Sequence, residues 1–209
     1  MRIEEKGTVF IIDDDEGVRE GLSLLLETVG QPCEVYSSAI DFLEAYDPNK
    51  RGCLVLDIRM PRMSGLDLQE KLDERESLLP IIFITGHGDI PMAVDAMRRG
   101  ALDFIRKPFR EQDLLDRINE AIEYDAGKRE AFLDNQELLN RISSLTERES
   151  DVFHRVAAGD MSKVIGMDLG ISERTVEAHR AQIMRKMGAR TLAQLVRMEL
   201  SAKRLADSK

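Results

Sequence analysis

Tryptophan is absent and aromatic residues make up only 5% of the 209-residue chain, so aliphatic side chains have to fill its core. Cysteine is nearly as scarce. Cys33 and Cys53 stand without CxxC spacing, which argues against a disulfide framework and for two reduced, half-buried thiols. The three histidines include His154 and His179, which lack the companions of a metal-ligand pattern, so a zinc site is not expected. No apolar run approaches the ~18 residues of a membrane span. The first residues, MRIEEKG, lack the apolar centre of a signal peptide, and the expected location is the cytoplasm. With 43% apolar and 33% charged residues, the chain reads as soluble and globular, long enough for one large domain or two modest ones.

Positive charge is short overall, and the net charge is −9, but the shortage is uneven. Residues 146–209 hold 12 Lys/Arg against 9 Asp/Glu, leaving the rest of the chain strongly acidic. Within 174–190, Arg174, Arg180, Arg185, Lys186 and Arg190 face only Glu177 in charge. An acidic body with a local basic segment suggests two jobs on two domains.

The first part alternates short apolar runs with amphipathic stretches. TVFII (8–12), CEVY (33–36), CLVLDI (53–58), PIIFIT (80–85) and ALDFI (101–105) read as strands. Helical spacing follows each, over 18–29, 39–45, 66–72, 91–99 and 111–122. The CLVLDI run is unbroken in its apolar character, as a strand covered on both faces should be. Such βα alternation implies a parallel sheet with helices on both faces. Ligands of such sheets sit at the carboxyl ends of the strands, where the strand order reverses. That rule gathers Asp13 and Asp14 after the first strand, Asp57 at the end of the third, Thr85 at the end of the fourth and Lys107 after the fifth. Carboxylates crowded at one mouth tolerate their repulsion if a hard cation completes them.

These motifs, the DD pair, LDIRMP around Asp57, ITG around Thr85 and KP at Lys107–Pro108, resemble the receiver domain of bacterial two-component response regulators. The resemblance spans 8–122 and implies a flavodoxin-like (βα)5 fold with a doubly wound parallel α/β sheet. It implies that Asp57 takes a phosphoryl group as nucleophile. Asp14 would hold Mg2+ (or Mn2+) directly, Asp13 directly or through water, with Asp57 and the Arg59 carbonyl completing the ligands. Lys107 and the Thr85 hydroxyl would meet phosphoryl oxygens. Thr85 and Phe104 would form the switch, Phe104 moving into space that Thr85 vacates. A phosphorylated homodimer through 90–106 is expected. Asp15 reads as a nearby support or a helix-start charge, and Pro108 as a candidate cis proline. His87 and Arg59 are candidates for tuning phosphate lifetime.

Residues 123–145 have no proline and one glycine, and read as a helical connector: an extension of the preceding helix, or two helices broken near Gly127. Ile118, Ile122, Phe132, Leu139 and Ile142 lie near one stripe that lapses through 123–131. Beyond it, Thr146 with Glu149 forms a capping box, Ser162, Ser172 and Thr191 are cap candidates, and Gly159, Gly170 and Gly188 are stops. Four short helices of this kind suggest a helix-turn-helix. The pattern LTERE…AAG…LGIS.RTVE.HR..IM.KMGA over 144–200 resembles the LuxR-type DNA-binding domain joined to receivers in the FixJ/NarL subfamily.

In the 173–187 helix, Val176, Ile183 and Met187 fall on one face, leaving Glu177, Ala178, Ala181 and Gln182 outward. Glu177, Ala178 and Ala181, with Arg180, are the base-edge candidates. Lys163, Arg174, Thr175, His179, Gln182, Arg185 and Lys186 are phosphate candidates. Helix 191–203, with Leu192, Leu195, Val196 and Met198, is a candidate dimer surface on DNA. The expected domains are a receiver at 1–124, a helical linker at 125–143 and an all-α four-helix output domain at 144–209. The expected function is a phosphorylation-dependent regulator, an activator acting as a dimer, with a sensor histidine kinase, promoter DNA and RNA polymerase as partners. A phosphotransferase with an aspartyl intermediate, and a receiver with a vestigial site, are the competing readings.

Overall fold

Five parallel strands, β1 (Thr8–Ile12), β2 (Cys33–Tyr36), β3 (Gly52–Asp57), β4 (Ile81–Thr85) and β5 (Asp103–Arg106), form one sheet in the order β2-β1-β3-β4-β5. The computed structural model describes residues 6–86 and 90–207, in two compact units, Met1–Arg129 and Glu130–Lys209. In the first unit, α1 (Glu16–Thr28), α2 (Ala39–Glu44), α3 (Gly65–Glu74), α4 (Ile90–Arg98) and the first part of α5 (Glu111–Ser143) cover the sheet.

Strand alternation divides the apolar residues between two cores. Phe10, Ile12, Leu54, Leu56, Ile81 and Phe83 meet Phe42 of α2, Leu68 and Leu72 of α3 and Ala96 of α4 on one face. Val9, Ile11, Cys53, Val55, Ile82 and Ile84 meet Leu22 and Leu26 of α1 and Leu114, Ile118 and Ala121 of α5 on the other. Two-sided coverage explains why β3 and β4 are buried at every residue. Gly52 begins β3 with φ +131°, and a Cβ there would fall 1.8 Å from the Thr8 carbonyl oxygen, so only glycine fits beside β1.

The connector is one continuous helix, α5, with no break at Gly127. Its polar lapse has a structural use. Asp125 is buried and accepts hydrogen bonds from the Gly52 N–H at 3.0 Å and from Arg129 Nε at 2.8 Å. Arg129 in turn donates to the carbonyls of Pro48 and Lys50. This clamp ties α5 to the edge of β3. Burial pushes the Asp125 carboxyl up, and the Gly52 N–H and Arg129 offset part of that rise.

The second unit holds α6 (Glu147–Ala158), α7 (Ser162–Leu169), α8 (Glu173–Met187) and α9 (Leu192–Asp207) with the end of α5. Val152, Phe153 and Val156 of α6, Ile165 of α7, Val176, Ile183 and Met187 of α8 and Leu195 of α9 form its core. Leu138 and Ile142 of α5 pack against it, whereas Leu139 and Phe132 are exposed. Ile142 of the expected stripe is in place, but Leu138, four residues before it, joins it in place of Leu139, and Phe132 faces solvent. Gly159, Gly170 and Gly188 close α6, α7 and α8 in the left-handed conformation. Thr146 and Glu149 form the capping box of α6, and Thr191 accepts from the Gln194 N–H ahead of α9. Ser162 is not the cap of α7. Met161 holds that position without a side-chain bond, and Ser162 lies inside the helix with its hydroxyl turned elsewhere.

Candidate phosphoacceptor site and nucleic-acid interface

The strand order reverses between β1 and β3, since β2 lies on the far side of β1, and the crevice there collects the predicted acids. Asp13 follows β1 and is 2% exposed; Asp57 ends β3 and is also buried. Lys107 reaches over from the end of β5. Its ammonium donates to Asp13 Oδ2 at 2.7 Å and stands 3.7 Å from Asp57 Oδ1. The Arg59 N–H donates to Asp57 Oδ2 at 2.9 Å and so aims the carboxylate. The Asp15 N–H donates to Asp13 Oδ1 at 3.0 Å, and the Asp15 side chain caps α1 by accepting from the Val18 N–H. Asp15 thus supports the site and starts the helix at once.

Burial is the largest influence on Asp57 and pushes its carboxyl up; Asp13 adds to the rise, and Lys107 and the Arg59 N–H pull against it. Thr85 is buried at the end of β4, and its carbonyl accepts from the Lys107 N–H at 2.7 Å, which ties the two predicted phosphoryl partners together. The Lys107–Pro108 peptide is cis. Gly65 opens α3 against Asp57: a Cβ there would come 2.4 Å from the Asp57 carbonyl oxygen. Asp14 is exposed, and its charge adds a smaller share to the rise at Asp57. Among the described residues, no three His, Cys, Asp or Glu side chains gather closely enough to hold a metal ion in this arrangement. Phe104 is half-buried against the core on the α3–α4 face. His87 lies outside the described residues.

In the second unit, α7 and α8 form the predicted helix-turn-helix, with Ser172 capping α8 by accepting from the Thr175 N–H. Lys163, Arg174, Thr175, Glu177, Ala178, Ala181, Gln182 and Arg185 are exposed; His179, Arg180 and Lys186 are half-buried. Lys186 donates to Glu149 at 2.6 Å and to the Ser144 carbonyl at 2.9 Å, so its charge is used within the fold. Arg141 of α5 donates to the Met187 carbonyl at 2.7 Å, satisfying an end carbonyl of α8; no local pattern marks Arg141 for that role. The expected dimer face on α9 is only partly available, because Leu195 is buried in the core and Met198 packs against it; Leu192 and Leu200 are its large exposed apolar residues.

Residues 9–119 match the response regulator receiver domain, and residues 143–199 match the bacterial regulatory proteins of the luxR family. The chain belongs to the response regulators. The response regulator protein TmoT of Ectopseudomonas mendocina is 44% identical over 205 residues, which cover 98% of this chain and 92% of TmoT. The transcriptional regulatory protein FixJ of Bradyrhizobium diazoefficiens is 40% identical over 204 residues, covering 97% of this chain and 98% of FixJ. A solved structure of the response regulator StyR shares 49% identity and a TM-score of 0.85, and the match covers 92% of this chain and 98% of that one. This response regulator pairs a CheY-like five-stranded receiver with a helical LuxR-type domain and is a transcription regulator, which sets aside the phosphotransferase reading. No helix among its described residues is long and apolar enough to cross a membrane.

Proposed function

We propose that this response regulator accepts a phosphoryl group on Asp57 from a sensor histidine kinase and in that state dimerises and binds promoter DNA, activating transcription in the cytoplasm through RNA polymerase. The observation that carries the reading is the position of Asp57: a buried carboxylate at the switch point, aimed by the Arg59 N–H and faced by the Lys107 ammonium. An Asp57 oxygen attacks phosphorus, the bond from phosphorus to the donor histidine nitrogen breaks, and the imidazole leaves with the electron pair. Lys107 moves its charge from the carboxylates toward a phosphoryl oxygen, and the Thr85 hydroxyl donates to another.

The donors fit a hard divalent cation in kind. They are carboxylate and carbonyl oxygens, and two of the carboxylates are buried; burial first, and the Asp13 charge after it, raise the Asp57 carboxyl, a cost that a cation relieves. Asp13, Asp14, Asp57 and the Arg59 carbonyl would hold Mg2+ or Mn2+, which supplies neutralisation of the phosphoryl oxygens when bound. Added charge of roughly −2 beside Thr85 draws its hydroxyl inward, and Phe104 follows into the space left. Lys163, Arg174, Thr175, His179, Gln182 and Arg185 would position α8 on phosphates, with Glu177, Ala178 and Ala181 toward base edges.

The test is a gel shift on genomic fragments with and without a small phosphodonor, comparing wild type with Asp57→Ala. Binding that rises on phosphorylation in wild type alone supports the reading. Equal binding in all four samples removes the switch.

A further inference from the structure

The hydroxyl of Ser162, which left the cap position of α7, has gone to the recognition helix. It donates to Glu177 Oε1, and it accepts from Arg180 Nη1 at 3.3 Å. Arg180 Nε lies 3.9 Å from the same Glu177 oxygen. Ser162 is buried, Arg180 is half-buried, and the Glu177 side chain is 59% exposed. A buried hydroxyl and a half-buried guanidinium thus grip one oxygen of an outward carboxylate. Among the described residues, Glu177 Oε2 takes no hydrogen bond. The arrangement answers a question that the basic segment raises: why its one acid lies on the outward face.

An unrestrained glutamate on that face would swing away from phosphates and lose rotamer freedom on docking. A gripped one is preorganised, and Ala178 and Ala181 beside it are exposed and short enough to let the duplex approach. A carboxylate only accepts hydrogen bonds. In the major groove it is therefore repelled by the acceptors of guanine and by thymine O4, and is satisfied by the cytosine N4 amino group; adenine offers a donor but sets N7 beside it. We infer that Ser162 is a positioning residue for base readout, holding Glu177 so that Oε2 selects cytosine at one position of each half-site. The inference rests on the DNA-binding reading above. Arg180 serves the grip, which withdraws it from the base-edge candidates.

The experiment selects the phosphorylated full-length chain on a pool of randomised DNA duplexes and compares wild type with Ser162→Ala, Glu177→Ala and Glu177→Gln. Wild type should favour cytosine about tenfold at one position per half-site. Glu177→Ala should lose that preference, and Glu177→Gln should move it to adenine, which glutamine meets with both a donor and an acceptor. Ser162→Ala should weaken the same preference at least about threefold and add nothing in a Glu177→Ala background. A retained cytosine preference in Glu177→Ala, which has no acceptor left, overturns the inference, and this exposed site decides the matter even where Ser162→Ala folds poorly. Full preference in a folded Ser162→Ala protein also overturns it. Wild type that recovers no duplex at all overturns the DNA-binding reading itself.

Discussion

Replacing Asp125 by alanine should unfold the first unit far more easily than its place at the Gly52 end of β3, away from Asp57, suggests. The side chain is buried, and its loss leaves the Gly52 N–H without its acceptor and strips Arg129 of both Nε bonds. Arg129, 14% exposed, then keeps its charge answered only by the Pro48 and Lys50 carbonyls. Breaking a buried pair from one side costs about 3–5 kcal/mol, of which an unsatisfied buried N–H contributes about 1–3 kcal/mol. For a chain of this length that corresponds to on the order of 10 °C in Tm. Asp125→Asn keeps an acceptor but loses the charge, and should cost about half as much. Asp125→Ala with Arg129→Ala should cost less than the sum of the single changes, by about 1–3 kcal/mol, because the pair is coupled.

The assay has a built-in local probe. All three tyrosines, Tyr36, Tyr46 and Tyr124, lie in the Met1–Arg129 unit, and tryptophan is absent. Tyrosine fluorescence during urea unfolding of the whole chain therefore reports that unit alone. A loss below about 1 kcal/mol, or strict additivity of the two changes, would refute the clamp as a buried, coupled pair.

Other consequences are more local. Burial and Asp13 raise the Asp57 carboxyl above its ordinary 3.8, so its ionised form destabilises the native state. Asp57→Asn should accordingly be more stable than wild type at neutral pH, and the gap should close as pH falls through the raised value toward 3.8; thermal melts across pH would show it, and a gap that widens on acidification contradicts the sign. Burial pushes the Cys53 thiol up to about 12, whereas Cys33 is only half-buried. An alkylating reagent should modify Cys33 in the native protein and reach Cys53 only in denaturant; peptide mapping checks this. Gly65→Ala should cost about 1–3 kcal/mol by overpacking, since its Cβ meets the Asp57 carbonyl oxygen, and should slow phosphorylation by a small phosphodonor in parallel.

Much of this arrangement can be read directly from the residues because strand ends and helix stops are local signals. The apolar runs end at Asp13, Asp57 and Thr85, and the topology of a doubly wound sheet then brings those ends together. Gly159, Gly170 and Gly188 mark helix ends because a left-handed residue is needed there. What stayed hidden involves polar groups that serve the interior. Counting apolar periods treats 123–131 as a solvated lapse, yet Asp125 and Arg129, spaced i and i+4, are a buried pair. The same counting misplaces Leu139 for Leu138 and offers Leu195 and Met198 as a free face, though the second core absorbs both. A serine before a helix reads as a cap, and only the three-dimensional neighbourhood shows Ser162 turned to Glu177 instead. Lys186 looked like one more phosphate contact, but Glu149, the buried member of a capping box, claims it.

The central claim is that Asp57, held between Lys107 and the Arg59 N–H, is the phosphoryl acceptor. Its most direct test is to incubate the protein with a small phosphodonor and Mg2+, trap the acyl phosphate by borohydride reduction, and map the modified residue by peptide mass spectrometry. The account predicts reduction products at Asp57 alone, absent from Asp57→Asn and diminished in Lys107→Ala. Modification at Asp13 or Asp14 in its place, or none in the presence of Mg2+, would contradict it.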